Sequence, residues 1–308
     1  MQTAKTRNAP LAVGTRGSPL ALWQAEAVRA ALAAVGTVTS VTTIRTTGDR
    51  ITDRLLAEAG GKGLFTKEID EALLDGRIDL AVHSAKDLPT ALPDGIVIAA
   101  CLPRADCRDA FLSPRAKHLR DLPSGAAVGT ASLRRGALAL RLRPDLRIVP
   151  MRGNVGTRLT KLEAGEADAT ILAMAGLSRL GLAERATSIF DPDDWLPAPG
   201  QGVIAVTARA GDAATLEALA RFGHRSTSLA LATERAFLTV LDGSCRTPIG
   251  GLAEVDGARL RFRGIIVKPD GSVAHMIERE GATEDCVSLG ASAGEALARA
   301  GGPDFFAG

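Results

Sequence analysis

The sequence predicts an α/β protein with two related α/β domains and a smaller C-terminal α+β domain. A pattern of strand, tight turn and helix occurs twice, in residues 11–32 and again in residues 126–142. Apolar strands alternate with amphipathic helices around both copies, which is typical of parallel-type sheets with helices on both faces. After about Arg221 the pattern changes to successive alternating strands, which indicates a third, different domain.

The first copy of the pattern begins with an apolar strand over Leu11–Gly14. A Gly-Thr-Arg-Gly-Ser-Pro turn follows, and apolar residues then recur at helical spacing over Leu20–Leu32. Ser18 is expected to cap this helix, and Pro19 to occupy its first position, where the missing proline N–H costs nothing.

The second copy repeats the first. A strand over Ala126–Val128 leads through a Gly-Thr-Ala-Ser turn into a helix over Leu133–Leu142. Each helix is followed by a further strand, Ser40–Arg45 in the first half and Leu146–Met151 in the second. The repetition predicts two domains of one topology.

The two halves also share a helix end, a glycine and an apolar strand, in residues 75–82 and 164–171. We expect Pro103–Pro123 to link the two domains. The segment Phe190–Gly202 is dense in turn residues and is interpreted as a crossover or hinge. One more apolar strand, Val203–Thr207, follows it.

The C-terminal part predicts a small α+β domain. A helix is expected across Ser228–Leu241, followed by a Gly-Ser-Cys loop. Alternating strands are expected at Leu252–Val255, Leu260–Val267 and Ser272–Glu278, with a final alanine-rich helix from Ser288. A strand meander with flanking helices fits that class.

Composition excludes several kinds of protein. An apolar content of 46% over 308 residues supports buried cores, and a net charge of +2 with 3% aromatic residues disfavours a nucleic-acid partner. Apolar stretches such as Ile96–Leu102 fall far short of the roughly 18 residues that span a bilayer, so no membrane partner is expected. Four scattered cysteines, and no secretion signal in Met1–Pro10, favour a cytoplasmic protein.

Arginine dominates the basic residues, with 30 arginines against 7 lysines. Codon bias is the alternative explanation of the total, and a single loop arginine is usually a solvated surface charge, so only the positions of individual arginines can decide. Ligands of open α/β sheets, however, bind beyond the carboxyl ends of the strands, and helix N-termini there attract anions. Six arginines are predicted at such positions: Arg16, Arg134, Arg135, Arg152, Arg158 and Arg179. They predict a polyanionic ligand.

Two further residues could carry chemistry. Asp87 follows a strand in His83–Pro89, where a carboxylate would repel an anion unless it transfers protons or stabilises a developing cation. The alternative is a turn or capping aspartate paired with Lys86. Cys245 lies in a glycine-bearing loop beside Arg246, which favours an accessible thiolate. The other three cysteines are expected to be buried and inert.

Other motifs are absent. The run Gly60-Gly61-Lys62-Gly63 lacks the spacing of a phosphate-binding loop, and we interpret it as a mobile lid that brings Lys62 to the cleft. No paired-cysteine or histidine spacing typical of a metal site occurs, so no metal is expected.

Seven segments, in order along residues 14–250, resemble the hydroxymethylbilane synthase (porphobilinogen deaminase) family. They are Gly14–Gln24, Gly60–Phe65, His83–Pro89, Gly129–Arg135, Arg152–Arg158, Pro199–Gly202 and Leu241–Gly250. The resemblance implies two periplasmic-binding-protein-like (type II) α/β domains, residues 1–102 with 203–221 and residues 103–202. It also implies a third domain, residues 222–308, which carries the cofactor cysteine.

The activity that the resemblance implies is a transferase of tetrapyrrole biosynthesis. Such an enzyme condenses four porphobilinogen molecules stepwise into linear hydroxymethylbilane, with loss of ammonia. Its cofactor is a dipyrromethane, bound through a thioether to the cysteine that matches Cys245. Every porphobilinogen carries two carboxylates, so the growing chain is the polyanion that the arginines predict. A monomeric enzyme is expected.

The resemblance also implies roles for individual residues. Asp87 matches the catalytic aspartate. Matching cofactor-binding positions are Ser18, Lys86, Thr130, Ser132, Arg134, Arg135, Arg158 and Cys245. Matching substrate-binding positions are Arg16, Lys62, Arg152, Arg179 and Gln201. One departure is Glu58, where related proteins often have lysine, so a carboxylate contact from that position is in doubt.

Two other functions remain open. A two-lobed solute-binding or sensor protein would explain the arginines, but would leave Asp87 and the loop cysteine without a role. An enzyme acting on phosphate esters would use the helix N-termini, but lacks the phosphate-binding loop and metal ligands.

Overall fold

The computed structural model describes residues 9–47, 66–243 and 247–306. The chain divides into two compact units. The first consists of the described parts of Met1–Ile51 and Gly61–Arg104, with Val203–Ser228. The second consists of Ala105–Gly202 and the described parts of Leu229–Gly308. The division into three domains expected from the sequence stays a prediction.

The first unit is built on a five-stranded sheet of order β2-β1-β3-β10-β4. Its strands are β1 (Leu11–Thr15), β2 (Thr39–Thr43), β3 (Leu80–Ser84), β4 (Ile96–Cys101) and β10 (Ile204–Arg209). Strand β1 runs parallel to β2 and β3, whereas β10 is antiparallel to both β3 and β4. The strand after the crossover therefore lies inside the first sheet.

Helices cover both faces of this sheet. They are α1 (Pro19–Ala34), α2 (Lys67–Leu74) and α6 (Ala213–Ala220). Val28 of α1 packs in one apolar cluster with Leu80 of β3, and Leu73 of α2 packs in another with Ala81. Because successive residues of a strand point to opposite faces, the two clusters lie on opposite sides of the sheet.

The second unit contains a sheet of matching order, β7-β6-β8-β5-β9. Its strands are β5 (Asp109–Leu112), β6 (Ala127–Gly129), β7 (Arg147–Val149), β8 (Ala169–Ala173) and β9 (Ser188–Ile189). Strand β6 is parallel to β7 and β8, and β5 is antiparallel to β8 and β9. The helices of this part are α3 (Leu133–Leu142), α4 (Val155–Glu163) and α5 (Met174–Arg179).

The two sheets repeat one hydrogen bond at matching places. An Asp79 carboxylate oxygen accepts the backbone N–H of Ala12 at the start of β1, at 2.9 Å. An Asp168 carboxylate oxygen accepts the N–H of Ala127 at the start of β6, at 2.8 Å. The two aspartates occupy the same place in the repeated glycine-strand pattern. The repeat in the sequence therefore corresponds to a repeat in the structure.

Two details of the predicted halves were wrong. Both sheets are mixed rather than parallel, because one strand in each, β10 or β5, runs against its neighbours. The expected linker Pro103–Pro123 contains β5, all four residues of which are buried. A four-residue strand is too short for its periodicity to mark it in the sequence.

The C-terminal part forms an antiparallel meander, β11 (Ile249–Asp256), β12 (Arg259–Val267) and β13 (Ala274–Ala282). Helices α7 (Arg225–Val240) and α8 (Cys286–Gly301) accompany it. The predicted fold class is therefore confirmed, with two α/β sheets and a small α+β part. In the described part of the chain, no helix is long and apolar enough to cross a membrane.

The meander shares a hydrophobic core with the second sheet. Leu252 of β11 and Ile265 of β12 belong to the same buried cluster as Val128 of β6, Leu138 of α3 and Ile171 of β8. The apolar side chains of the meander thus help to shield the sheet that carries the repeated turn.

Gly202, at the end of the crossover segment, cannot accept a side chain. Its φ is +85°, and a Cβ would lie 2.5 Å from the carbonyl oxygen of Ala105. We expect Gly202→Ala to lower the free energy of unfolding by about 2 kcal/mol or more, measured by urea denaturation. Gly211→Ala is the control, because no atom lies within 4 Å of its added Cβ. Equal unfolding midpoints for the two variants would contradict the prediction.

Candidate active site

The turn after β1 positions the first predicted site residues. The Ser18 hydroxyl accepts the backbone N–H of Ala21 at 3.3 Å, and Pro19 is the first residue of α1. The predicted cap is therefore confirmed. A serine cap leaves other N–H groups of the first turn free for an anion, with the helix dipole favouring negative charge.

One pocket in the first unit brings three predicted residues together. Arg16 and Ser18 from the turn after β1 line it with Asp87, which follows β3. These turns are neighbours because β1 and β3 pair in parallel, so their carboxyl ends meet at one edge of the sheet. Asp87 ends a short helical turn, Ala85–Asp87, and its side chain is exposed. Half-buried Lys86 precedes it.

Three lining residues were not singled out by the sequence analysis: Gln24, His83 and Ser84. Gln24 donates from Nε2 to the Ser84 hydroxyl at 2.8 Å. The His83 Nε2 lies 3.2 Å from the Thr207 hydroxyl. All three lie within segments that carried the family resemblance, which was the signal available for finding them.

His83 adds no charge to this pocket at neutral pH. Burial of the ring, together with the nearby positive charge of Arg16, lowers the pKa of His83 to about 4. A neutral imidazole leaves Arg16 and Asp87 as the charged residues that line the pocket. The pocket therefore presents one cation and one exposed carboxylate.

Acid should destabilise the fold through His83. The folded-state pKa of about 4 lies below the reference value of 6.5, so the unfolded chain binds more protons between these values. We expect the free energy of unfolding to fall by up to about 3 kcal/mol from this group as pH drops from 6.5 to 4. In His83→Gln, urea denaturation at several pH values should show a shallower slope over this window. The same slope in both proteins would contradict the prediction.

The corresponding turn of the second unit is organised by side-chain hydrogen bonds. The Thr130 hydroxyl accepts the N–H of Ser132 at 3.1 Å. The Ser132 hydroxyl accepts the N–H of Arg135 at 3.4 Å and so caps α3, as Ser18 caps α1. Asn154 likewise caps α4 by accepting the N–H of Thr157 at 2.9 Å. Both helices begin at the carboxyl ends of strands.

Arg134 and Arg135 are buried rather than exposed at the mouth of a cleft. Both form ion pairs with Asp109. Arg134 Nη2 lies 2.8 Å from Asp109 Oδ2, and Arg135 Nη2 lies 2.7 Å from Asp109 Oδ1. Gln201, also buried, donates from Nε2 to the same carboxylate at 2.9 Å. The structure thus brings three predicted ligand-binding residues together around a partner that the sequence analysis missed. Their contact with a ligand stays a prediction.

The other arginines of the second unit differ in their surroundings. Arg158 donates from Nε to the Gly153 carbonyl at 2.9 Å, and Arg179 donates to the Gly202 carbonyl at 2.7 Å. Burial lowers the pKa of Arg179 to about 10, which leaves it charged at neutral pH. Arg152 is half-buried, and its buried Nη1 has no hydrogen-bond partner among the described residues.

Lys62, Glu58 and Cys245 lie outside the described residues. Of the cysteines that the structure describes, Cys101 and Cys286 are buried as expected, Cys107 is only half-buried, and none of the three forms a disulfide. Across residues 9–47, 66–243 and 247–306, no group of three or more histidine, cysteine or acidic side chains could hold a metal ion.

Comparison with known proteins gives matches along most of the chain. A family profile described as "Porphobilinogen deaminase, dipyromethane cofactor binding domain" matches residues 11–217. A second, "Porphobilinogen deaminase, C-terminal domain", matches residues 228–299. The chain is 55% identical to the Porphobilinogen deaminase of Nitrobacter hamburgensis and 54% identical to that of Nitrobacter winogradskyi. Both alignments cover 99% of this chain and 98% of the relative.

Similarity to solved structures is more distant. A periplasmic substrate-binding protein of an ABC transporter from Coxiella burnetii is 17% identical, covering 73% of this chain and 96% of that chain, with a TM-score of 0.43. The Methionine Binding Protein MetQ is 16% identical, and the match covers 68% of this chain and 88% of that chain, with a TM-score of 0.44.

Proposed function

Because the chain belongs to the porphobilinogen deaminase family, we propose that it is a transferase that joins four porphobilinogen molecules stepwise into linear hydroxymethylbilane, releasing ammonia at each condensation. The observation that carries the proposal is the pocket of the first unit, where Arg16, Ser18 and Asp87 meet. It offers a cation and a capped helix N-terminus for a carboxylate, with an acidic group beside them.

Substrate binding is assigned to the cationic residues. Porphobilinogen carries two carboxylates, and the planar guanidinium fork of Arg16 suits one of them. Arg152, whose buried Nη1 lacks a partner among the described residues, is suited to another anionic group. We assign the same role to Lys62, Arg179 and Gln201.

Asp87 is the proposed catalytic residue. In each condensation a carbon–nitrogen bond breaks and ammonia leaves, a carbon–carbon bond forms to the α-carbon of the terminal pyrrole, and that carbon loses its proton. Positive charge develops on the incoming pyrrole as the amine departs. The exposed carboxylate of Asp87 would stabilise this charge and accept protons from the reacting rings.

The residues of the second unit fit the dipyrromethane cofactor that the family profile names. When bound, that group supplies the pyrrole α-carbon at which the chain starts. Its carboxylates require cations and N–H donors, and the capped N-termini of α3 and α4 supply donors beside Arg158. We propose that Ser18, Lys86, Thr130, Ser132, Arg134 and Arg135 contribute further contacts, and that Cys245 forms the thioether.

We further propose that the enzyme is a cytoplasmic monomer with porphobilinogen as its partner and without nucleic-acid or membrane partners. The four cysteines scattered along the sequence support a reducing compartment. The near-neutral charge balance supports the lack of a nucleic-acid partner.

Intact mass spectrometry of the purified full chain tests the proposed function. We expect a mass above that of the sequence by two condensed pyrrole units, and a colour reaction with Ehrlich's aldehyde. A solute-binding protein would show the unmodified mass and would bind an anion without consuming porphobilinogen. An unmodified mass in a preparation that consumes porphobilinogen would refute the covalent cofactor.

A further inference from the structure

Asp109 is a fully buried carboxylate at the start of β5 that receives hydrogen bonds from four side chains. We call Asp109, Arg134, Arg135, Trp195 and Gln201 the Asp109 cluster. Oδ2 accepts from Arg134 Nη2 and from Trp195 Nε1, both at 2.8 Å. Oδ1 accepts from Arg135 Nη2 at 2.7 Å, from Arg135 Nε at 3.2 Å and from Gln201 Nε2 at 2.9 Å.

Five N–H donors on two oxygens leave this carboxylate little capacity for further hydrogen bonds. Burial alone would raise the pKa of Asp109, but the two guanidiniums hold it well below its usual range. The carboxylate is therefore ionised at neutral pH. Its charge and its lone pairs are committed to orienting the side chains around it.

The cluster lies at the ligand side of the second sheet. Asp109 is paired in register with Ala173, the last residue of β8, so it stands at the carboxyl end of that strand. Arg134 and Arg135 lie in the first turn of α3, which starts beyond the carboxyl end of β6. Ligands of open α/β sheets bind beyond these strand ends.

The two arginines are held by the protein on several sides. Arg134 also donates from Nη1 to the Leu196 carbonyl, and Arg135 from Nη1 to the Ile171 carbonyl, both at 2.9 Å. The Nε of Arg134 is buried without a hydrogen-bond partner within the described residues. Two guanidiniums and one carboxylate leave one positive charge in excess. The two buried arginines therefore carry one positive charge that Asp109 does not balance, and Arg134 has one N–H without an acceptor in the described part of the chain. Both features suit a further anionic group.

We infer that Asp109 is a positioning residue, whose carboxylate holds the two arginines of the Asp109 cluster in the geometry that receives one carboxylate of the bound pyrrole chain. The inference rests on the proposed function and deepens it, because it assigns a role to a residue that neither the sequence motifs nor the catalytic steps required. Asp109 acts through the arginines and touches no reacting atom.

The test uses adduct assembly in the full chain. Protein freed of its cofactor is incubated with porphobilinogen at several concentrations, and the modified fraction is followed by intact mass. We expect Asp109→Asn, which keeps the side-chain size and removes the charge, to raise the half-saturating porphobilinogen concentration at least tenfold. The same variant in an Arg134→Lys background should add much less than tenfold, because both changes disturb one interaction.

Asp168→Asn is the matched control. Asp168 precedes β8 at the opposite end of the same strand, where it accepts the N–H of Ala127 and contacts Arg115. We expect this variant to lose stability while keeping the wild-type half-saturating concentration. A purely structural role for Asp109 would give the same pattern in Asp109→Asn, and that result would overturn the inference. The inference would also be overturned if the double variant raised the half-saturating concentration by the product of the two single-variant factors, because the two residues would then act independently.

If Asp109→Asn does not fold, Asp109→Glu tests the positioning role instead, because it keeps the carboxylate charge and displaces it by one methylene. A folded Asp109→Glu with the wild-type half-saturating concentration would refute the positioning role. A wild-type chain that forms no adduct at all would instead refute the proposed function, so the two failures are distinguishable.

Discussion

Alanine in place of Asp87 is expected to lower kcat for porphobilinogen consumption by about 10²–10³-fold. The carboxylate is exposed in the pocket that also holds Arg16 and Ser18, so its loss removes the negative charge that would face the developing cation. Initial rates with porphobilinogen, read together with the intact mass, give the measurement. The adduct should persist in part, because the residues assigned to hold it are unchanged.

Two variants separate charge from general damage. Asp87→Asn keeps the shape of the side chain and should lose nearly as much activity as alanine. Asp94→Ala removes an exposed aspartate of the same unit that lies just before β4 and does not line the pocket, so it should leave kcat unchanged. Wild-type turnover in Asp87→Ala would remove this residue from the mechanism.

Serine in place of Cys245 should abolish both the adduct and hydroxymethylbilane formation. An ether oxygen does not replace the sulfur readily, since the thiolate is the stronger nucleophile at neutral pH and Arg246 favours that form. Intact mass should show the bare sequence mass, and activity should fall below detection.

Cys107→Ser controls for the loss of any thiol. Cys107 is a half-buried cysteine of the second unit that forms no disulfide within the described residues, and its substitution should leave the added mass in place. An adduct of unchanged mass on Cys245→Ser would move the attachment point to another residue. Peptide mapping of the modified chain would then locate it.

Features set by neighbouring residues were predictable from the sequence. Ser18 caps its helix as expected, and Ser132 of the repeated turn does the same, because a cap needs only a hydroxyl residue and the N–H groups two or three positions later. The pocket residues Arg16 and Asp87 also followed from the rule that ligands bind at strand ends. These inferences required no knowledge of distant contacts.

Features set by distant contacts were not predictable. Strand β5 lay in the expected linker, since four apolar or acidic residues show no usable periodicity. Their positions after a strand predicted Arg134 and Arg135 in a cleft, whereas in the fold both are buried and donate to Asp109, about 25 residues earlier in the chain. A buried aspartate with a tryptophan and a glutamine from another segment leaves no local pattern.

The core common to the meander and the second sheet gives the C-terminal part of the chain a structural role in the second unit. Val128, Leu138 and Ile171 pack in one buried cluster with Leu252 and Ile265, so a chain cut ahead of the meander would lose part of the apolar packing around them. Burial of such side chains contributes about 1.5–3 kcal/mol each, so a shortened protein would lose several of these contributions together. Truncations in this region should therefore act as folding defects of the arginine-bearing sheet, even when the lost residues contact no substrate.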